Sequence, residues 1–99
     1  MNIIIPDQRS VLCHYGPEAQ SLLHCEELAE LAQAVSKMRR AVNSGKDDTQ
    51  AYYNLVEEIG DVLICIQQMK TMYGISDEEI RKAVSYKCRR QEVRMNGTR

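Results

Sequence analysis

Apolar residues recur every three to four positions along three long stretches of this chain, while the strict alternation that marks a strand is weak throughout. The pattern predicts an all-α protein. Gly16-Pro17-Glu18 opens the first stretch, with Pro17 in the first-turn position it tolerates and Glu18 favourable near a helix N-terminus. This helix is expected to run to about Val42 and to stop at Asn43-Ser44-Gly45. Asp47, Asp48 or Thr49 can cap a second helix that continues to about Tyr73 and ends at Gly74, a natural residue just past a helix C-terminus. Ser76-Asp77-Glu78-Glu79 has the form of a capping box and starts a third helix from Asp77 toward Arg94. Residues 1–16 leave room for a short helix around Gln8 to His14, and the tail Asn96-Gly97-Thr98-Arg99 is expected to fray. The expected architecture is a short helical bundle of three main helices, plus that short N-terminal one, completed by oligomerisation.

Placing residues at about 100° per residue sharpens the picture. With Glu27 at zero, Leu23, Leu28, Leu31, Ala34, Val35, Met38 and Val42 fall between about −40° and +100°, the stripe an amphipathic helix turns toward its core. Glu27 lies inside this stripe and Glu30 on its flank. On the second helix Leu55, Ile59, Val62, Cys65, Ile66, Met69 and Met72 form the stripe, with Glu58 inside it and Asp61 on its flank. Both helices therefore carry an acid in the apolar face and another acid three residues later. A lone buried carboxylate costs several kcal/mol, and four together also repel one another. Such acids are either protonated, paired with Lys and Arg, or holding a divalent cation. Mg²⁺ suits them, since it prefers carboxylate and water oxygens and commonly shares its shell with a phosphate.

Composition narrows the class further. Ninety-nine residues form a single domain, 1–99, near the lower size limit for independent folding, so help from a metal or from other copies is expected. Thirteen Lys plus Arg against fourteen Asp plus Glu give a net charge of −1, so no charge asymmetry points to a nucleic-acid polymer or a membrane surface. The longest apolar run, Val62 to Ile66, is far too short to span a bilayer, and MNIIIPDQRS has no secretory pattern. Cys13, Cys25, Cys65 and Cys88 are read as free thiols of a reducing cytoplasm. Cys13-His14 and His24-Cys25 match no standard zinc spacing. A di-iron carboxylate bundle would need Glu-x-x-His on two helices, which this sequence lacks.

Glu26-Glu27-Leu28-Ala29-Glu30-Leu31, followed by Glu58-Ile59-Gly60-Asp61, resembles the EExxE…ExxD signature of MazG-like nucleoside triphosphate pyrophosphohydrolases, of the all-α NTP pyrophosphatase superfamily. The resemblance extends over roughly residues 14 to 97. It implies hydrolysis of a (d)NTP between the α- and β-phosphates to NMP and pyrophosphate, with Mg²⁺ required and Mn²⁺ able to substitute, as housecleaning of the nucleotide pool. Carried over by position, the metal ligands are Glu27, Glu30, Glu58 and Asp61, and Glu26 is a candidate to hold a further ion or orient the attacking water. Lys87 and Arg94 are similar to a K…N…R run that contacts phosphates in many members. Gln91 here replaces the Asn, and Arg90 lies on nearly the same face. Gln20 matches a Gln often seen before the motif, and Asn54, one turn before Glu58, could contact base or sugar.

The second helix also carries Val56, Leu63 and Ile64 outside its stripe, and a helix apolar nearly all round must be covered nearly all round. A homodimer or homotetramer is expected, in line with the short members of the resembled family. The alternative to an enzyme is a non-catalytic helical nucleotide-binding or interaction module that retains the acidic motif.

Overall fold

A computed structural model describes residues 2–97 and places four helices in chain order: α1 (Arg9–Tyr15), α2 (Pro17–Ser44), α3 (Thr49–Tyr73) and α4 (Asp77–Gly97). The described residues contain no strand, so the protein is all-α as its periodicity predicts. Helix ends follow local chemistry. Gly74 sits in the left-handed region at φ 65°, ψ 35°, where a side chain would be strained, and its N–H reaches the Lys70 carbonyl to close α3. At the start of α4 the Glu79 N–H donates to Ser76 Oγ at 3.1 Å while the Ser76 N–H donates to the Glu79 carboxylate at 3.0 Å. That reciprocal pair is the capping box expected from the sequence. Before α3 the Asp47 carboxylate, not that of Asp48, accepts from the Thr49 N–H and hydroxyl at 3.0 and 2.7 Å. The expected fraying does not begin at Asn96: Asn96 and Gly97 continue α4, and Thr98 and Arg99 lie outside the described residues.

The loop between α2 and α3 spans residues 45–48 only, and so short a connection forces the two helices to pack antiparallel. Their contact follows a seven-residue repeat. Gln20, His24, Glu27, Leu31, Ala34, Met38 and Ala41 on α2 are buried or half-buried, as are Ala51, Leu55, Glu58, Val62, Cys65, Met69 and Met72 on α3. Each set steps alternately by four and three residues, the spacing that keeps one seam facing its partner over many turns. The fully buried apolar residues of the described chain are Ala34, Val62 and Cys65. The seam therefore uses only half of each apolar stripe read from the sequence. Leu23, Leu28, Val35 and Val42 on α2 remain between 39 % and 53 % exposed, because a two-helix contact covers one side of a stripe and leaves the other open. Helix α1 folds back across the N-terminal end of α2 and the C-terminal end of α3.

Helix α4 projects from the other helices. It touches the other helices only near its start, where Lys70 and Asp77 form an ion pair, and none of its described residues is buried. Its sequence is too polar to hold it down, with Arg81, Lys82, Lys87, Arg89, Arg90 and Arg94 on 21 residues. The consequence is an extended chain: the radius of gyration is 16.9 Å, against about 13 Å for a compact domain of this length. A helix without tertiary support depends on its caps. Ser76→Ala is expected to speed amide hydrogen exchange in the first turns of α4 about fivefold, the rate equivalent of one N-cap, without lowering the melting temperature of the α2–α3 hairpin. Exchange mass spectrometry alongside thermal denaturation checks both halves of that statement.

Candidate metal centre

The antiparallel register brings the two acid motifs of α2 and α3 together. One carboxylate oxygen each from Glu27, Glu58 and Asp61 lies within 4.8 Å of the others. Glu30, one turn after Glu27, is near enough for its charge to act on both Glu27 and Glu58. Glu27 and Glu58 occupy the seam and are half-buried, whereas Glu30 and Asp61 are exposed on one flank of it. The centre thus has a floor of seam carboxylates and a mouth open to solvent.

Its electrostatics are unbalanced. Among the described residues no Lys or Arg forms an ion pair with any of the four acids. Glu27 Oε2 and Glu58 Oε2 are buried and have no hydrogen-bond partner. Burial pushes the Glu27 carboxyl above the usual range, reinforced by the charges of Glu30, Asp61 and Glu58. Burial likewise raises Glu58, with Glu30 and Asp61 adding to the effect. Buried Cys65 beside them has its thiol pushed up by burial, then by Glu27 and Asp61.

These features fit a small divalent cation. In an octahedral Mg²⁺ shell opposite oxygens are about 4.2 Å apart and neighbouring ones about 3.0 Å, so the three carboxylates would draw closer together to share one ion. The two unpartnered buried oxygens are acceptors without donors, which is the condition a cation relieves. The salt-bridge alternative raised by the sequence has no counterpart among the described residues.

The remaining residues singled out in the sequence are dispersed. Glu26 is exposed beside Glu27 and outside the close group of three acids. Asn54 is half-buried one turn before Glu58, on the same flank as Asp61. Gln20 is buried at 3 % exposure, and its amide donates to Gln68 Oε1 at 2.9 Å, so it is engaged within the hairpin. Lys87, Arg90 and Arg94 lie on the projecting α4, which meets the helices bearing the acids only at its start, through the Lys70–Asp77 ion pair. Arg90 there stacks over the Tyr86 ring at 5.7 Å.

Sequence reasoning passed over one neighbouring feature. His24 Nε2 pairs with Gln68 Oε1 at 2.8 Å, and the Gln68 amide donates to Gln8 Oε1 at 3.0 Å. This buried polar cluster, one turn from Glu27, ties the residue preceding α1 to the hairpin and fixes the register on which the acid centre depends. Its signal was present in the spacing, since His24 precedes Glu27 by three residues and Gln68 follows Asp61 by seven.

Comparison with known proteins places the chain among relatives. No family model and no solved structure matches it. It is 36 % identical over 77 residues to the uncharacterized protein YvdC of Bacillus subtilis (strain 168), an alignment covering 70 % of this chain and 69 % of the relative. The chain belongs to the YvdC family. Membership in the YvdC family carries no chemistry to the site.

The raised carboxylates fix a pH dependence. Folded Glu27 and Glu58 bind protons more tightly than the unfolded chain does, so the metal-free protein loses their contribution as pH rises from about 4.5 through the folded values. Glu58→Gln removes one charge from the cluster and keeps its shape. In chelator the variant is expected to melt above the wild type at pH 7, with the difference vanishing near pH 4. Carboxylates held low elsewhere, such as Asp7 beside Arg9 and Asp77 beside Lys70, are common to both proteins and cancel in the comparison.

Proposed function

We propose that this member of the YvdC family is a Mg²⁺-dependent hydrolase that cleaves a (d)NTP at the α–β phosphoanhydride, releasing NMP and pyrophosphate. The observation that carries the reading is the pair of buried, unpartnered oxygens of Glu27 and Glu58, set among four carboxylates with no counter-ion from the described chain. The EExxE…ExxD resemblance supplies the reaction class.

In this reading Glu27, Glu30, Glu58 and Asp61 hold the cation, with Mn²⁺ able to replace Mg²⁺. A divalent ion bound there neutralises phosphate charge and lowers the pKa of a coordinated water. The chain's own part is positional. Glu27 and Glu58 are anchored in the seam, which keeps them from following solvent, while exposed Asp61 and Glu30 leave the outer side open to a triphosphate. Glu26, exposed beside Glu27, is the residue that would orient the attacking water. Asn54 stands on the flank where the sugar or base would lie. Gln20, already engaged by Gln68, maintains the register rather than touching the substrate. Lys87, Arg90 and Arg94 meet the phosphates only when α4 approaches an acid groove, of its own chain or of another.

The separation of those cations from the acids also favours a second reading, a module that binds a metal–nucleotide complex without turning it over. One experiment separates the two. Purified protein incubated with Mg²⁺ and a panel of canonical and modified (d)NTPs is expected to release NMP and pyrophosphate. Glu27→Gln or Asp61→Asn is expected to lower the rate at least about a hundredfold, in the range seen when metal-site carboxylates or electrostatic groups are lost. Release of NDP and phosphate would overturn the assigned bond. Absence of turnover with Mg²⁺ and Mn²⁺, together with cation-dependent thermal stabilisation that Glu58→Gln abolishes, would establish the binding module instead.

A further inference from the structure

The exposed flank of the hairpin holds a second pair of polar residues beyond the acids. Glu30 and Lys37 lie seven residues apart on α2, and Asp61 and Asn54 lie seven apart on α3. Residues at that spacing share one face of a helix, two turns along. The helices run antiparallel, so seven steps forward on α2 match seven steps back on α3. Lys37 and Asn54 therefore lie opposite one another on the flank that Glu30 and Asp61 border, about 10.5 Å nearer the loop at 45–48. The hydrogen bond of His24 to Gln68 gives the same register, with Lys37 thirteen residues after His24 and Asn54 fourteen before Gln68.

Lys37 is the cation of α2 and α3 that this flank receives. Arg39 and Arg40 fall on other sides of α2, and Arg40 donates to Ser36 Oγ at 3.1 Å. Lys70 is held by Asp77. Lys37 is exposed and forms no ion pair among the described residues, not even with exposed Glu57 on the outer side of α3. Three and four residues to either side of it stand Gln33, Ala34, Arg40 and Ala41, so no carboxylate of its own helix is placed to pair with it. Its Cα–Cβ bond tilts toward the N-terminus of α2, which is the direction of Glu30.

Charge gives that placement a purpose. Four ionised carboxylates and one divalent ion leave the centre net negative, and a phosphate group approaching it is repelled. A cation on the same flank offsets the repulsion at close range. The Lys and Arg residues of α4 project away from the hairpin, so Lys37 is the positive charge that α2 and α3 themselves offer there.

We propose that Lys37 binds the phosphate that stays with the nucleoside: the α-phosphoryl group of the substrate and the phosphate of the NMP product. The proposal rests on reading the acids as a cation-dependent nucleotide site. Asn54, opposite Lys37, is on the side given to the sugar or base, and the phosphate joined to the sugar is the α one. The two outer phosphates then lie on the far side of the acids from Lys37. The ammonium group donates to a non-bridging oxygen of the α-phosphoryl group, a charge-assisted contact.

Calorimetric titration of the full chain in Mn²⁺ tests this without turnover. The probes are pyrophosphate and the 5′-monophosphates of deoxyadenosine, deoxycytidine, deoxyguanosine and thymidine. In Lys37→Met the monophosphate that the wild type binds most tightly is expected to bind at least about tenfold more weakly, the effect of losing one hydrogen bond to a charged group. Affinities for Mn²⁺ and pyrophosphate are expected to stay nearly unchanged, as is the melting temperature, because Lys37 is exposed. Lys37→Arg keeps the charge and is expected to recover most of the monophosphate affinity. Unchanged monophosphate binding in Lys37→Met would overturn the inference. So would an equal loss of pyrophosphate binding, which would make Lys37 a general attractor of anions, and so would a wild type that binds none of the four monophosphates. The hydrolase reading fails separately: monophosphate binding that depends on Lys37, without turnover of any (d)NTP, would support this inference and overturn that reading.

Discussion

Four carboxylates set in and beside an apolar seam, with no Lys or Arg of the described chain paired to them, constrain everything else in this molecule. Each charge must be neutralised by a proton, a cation or a rearrangement of the hairpin. Protons serve only where the pH is low enough for the raised Glu27 and Glu58 to hold them. Above that range the carboxylates repel one another, and the divalent ion proposed here would be a neutralising partner that also satisfies the two buried Oε2 atoms. The same crowding makes the centre useful. In the proposed reading, acceptors that the fold already gathers would leave less ordering to be done when a cation binds.

Holding that ring demands a register that cannot slip. Leu, Val and Met in the seam supply area but tolerate sliding by a heptad, because one apolar layer resembles the next. The hydrogen bonds of Gln20 and His24 to Gln68, and of Gln68 to Gln8, resemble no other layer of the hairpin. Burying these side chains is favourable only when every partner is in place, so the cluster selects one pairing of α2 with α3. It lies one turn from Glu27, where an error in register would do most harm to the acid centre.

The helices and their ends were legible from the sequence because each has a local cause: Pro17 at a first turn, Gly74 past a last one, and Ser76 with Glu79 at a cap. The inward placement of Glu27 and Glu58 was legible too, since a 3.6-residue period fixes their faces without knowledge of the partner helix. Which half of each apolar stripe is buried was not. Leu28 and Val35 are as apolar as Leu31 and Ala34, and only the crossing of α3 decides between them. The position of α4 was equally hidden, because Lys87, Arg90 and Arg94 have the same spacing whether the helix lies on the acids or projects from them. The His24–Gln68 pair was missed for a related reason: spacing sets the face of each residue but not its hydrogen-bond partner across the hairpin.

Helix α3 is consequently asked to do three things with three of its sides. One side forms the seam through Val62 and Cys65, a second carries Asp61 and Asn54 beside the acid centre, and a third carries Val56, Ile59 and Leu63. A solvated helix would spend that third side on charge, as α4 does. Keeping it apolar in so small a protein, next to a glycine that helps nothing in its own chain, is costly unless another surface covers it. Covering it would stiffen α3 from behind. That would restrain Glu58 and Asp61, on adjacent turns of the same helix, against the mutual repulsion that otherwise drives the two acid motifs apart.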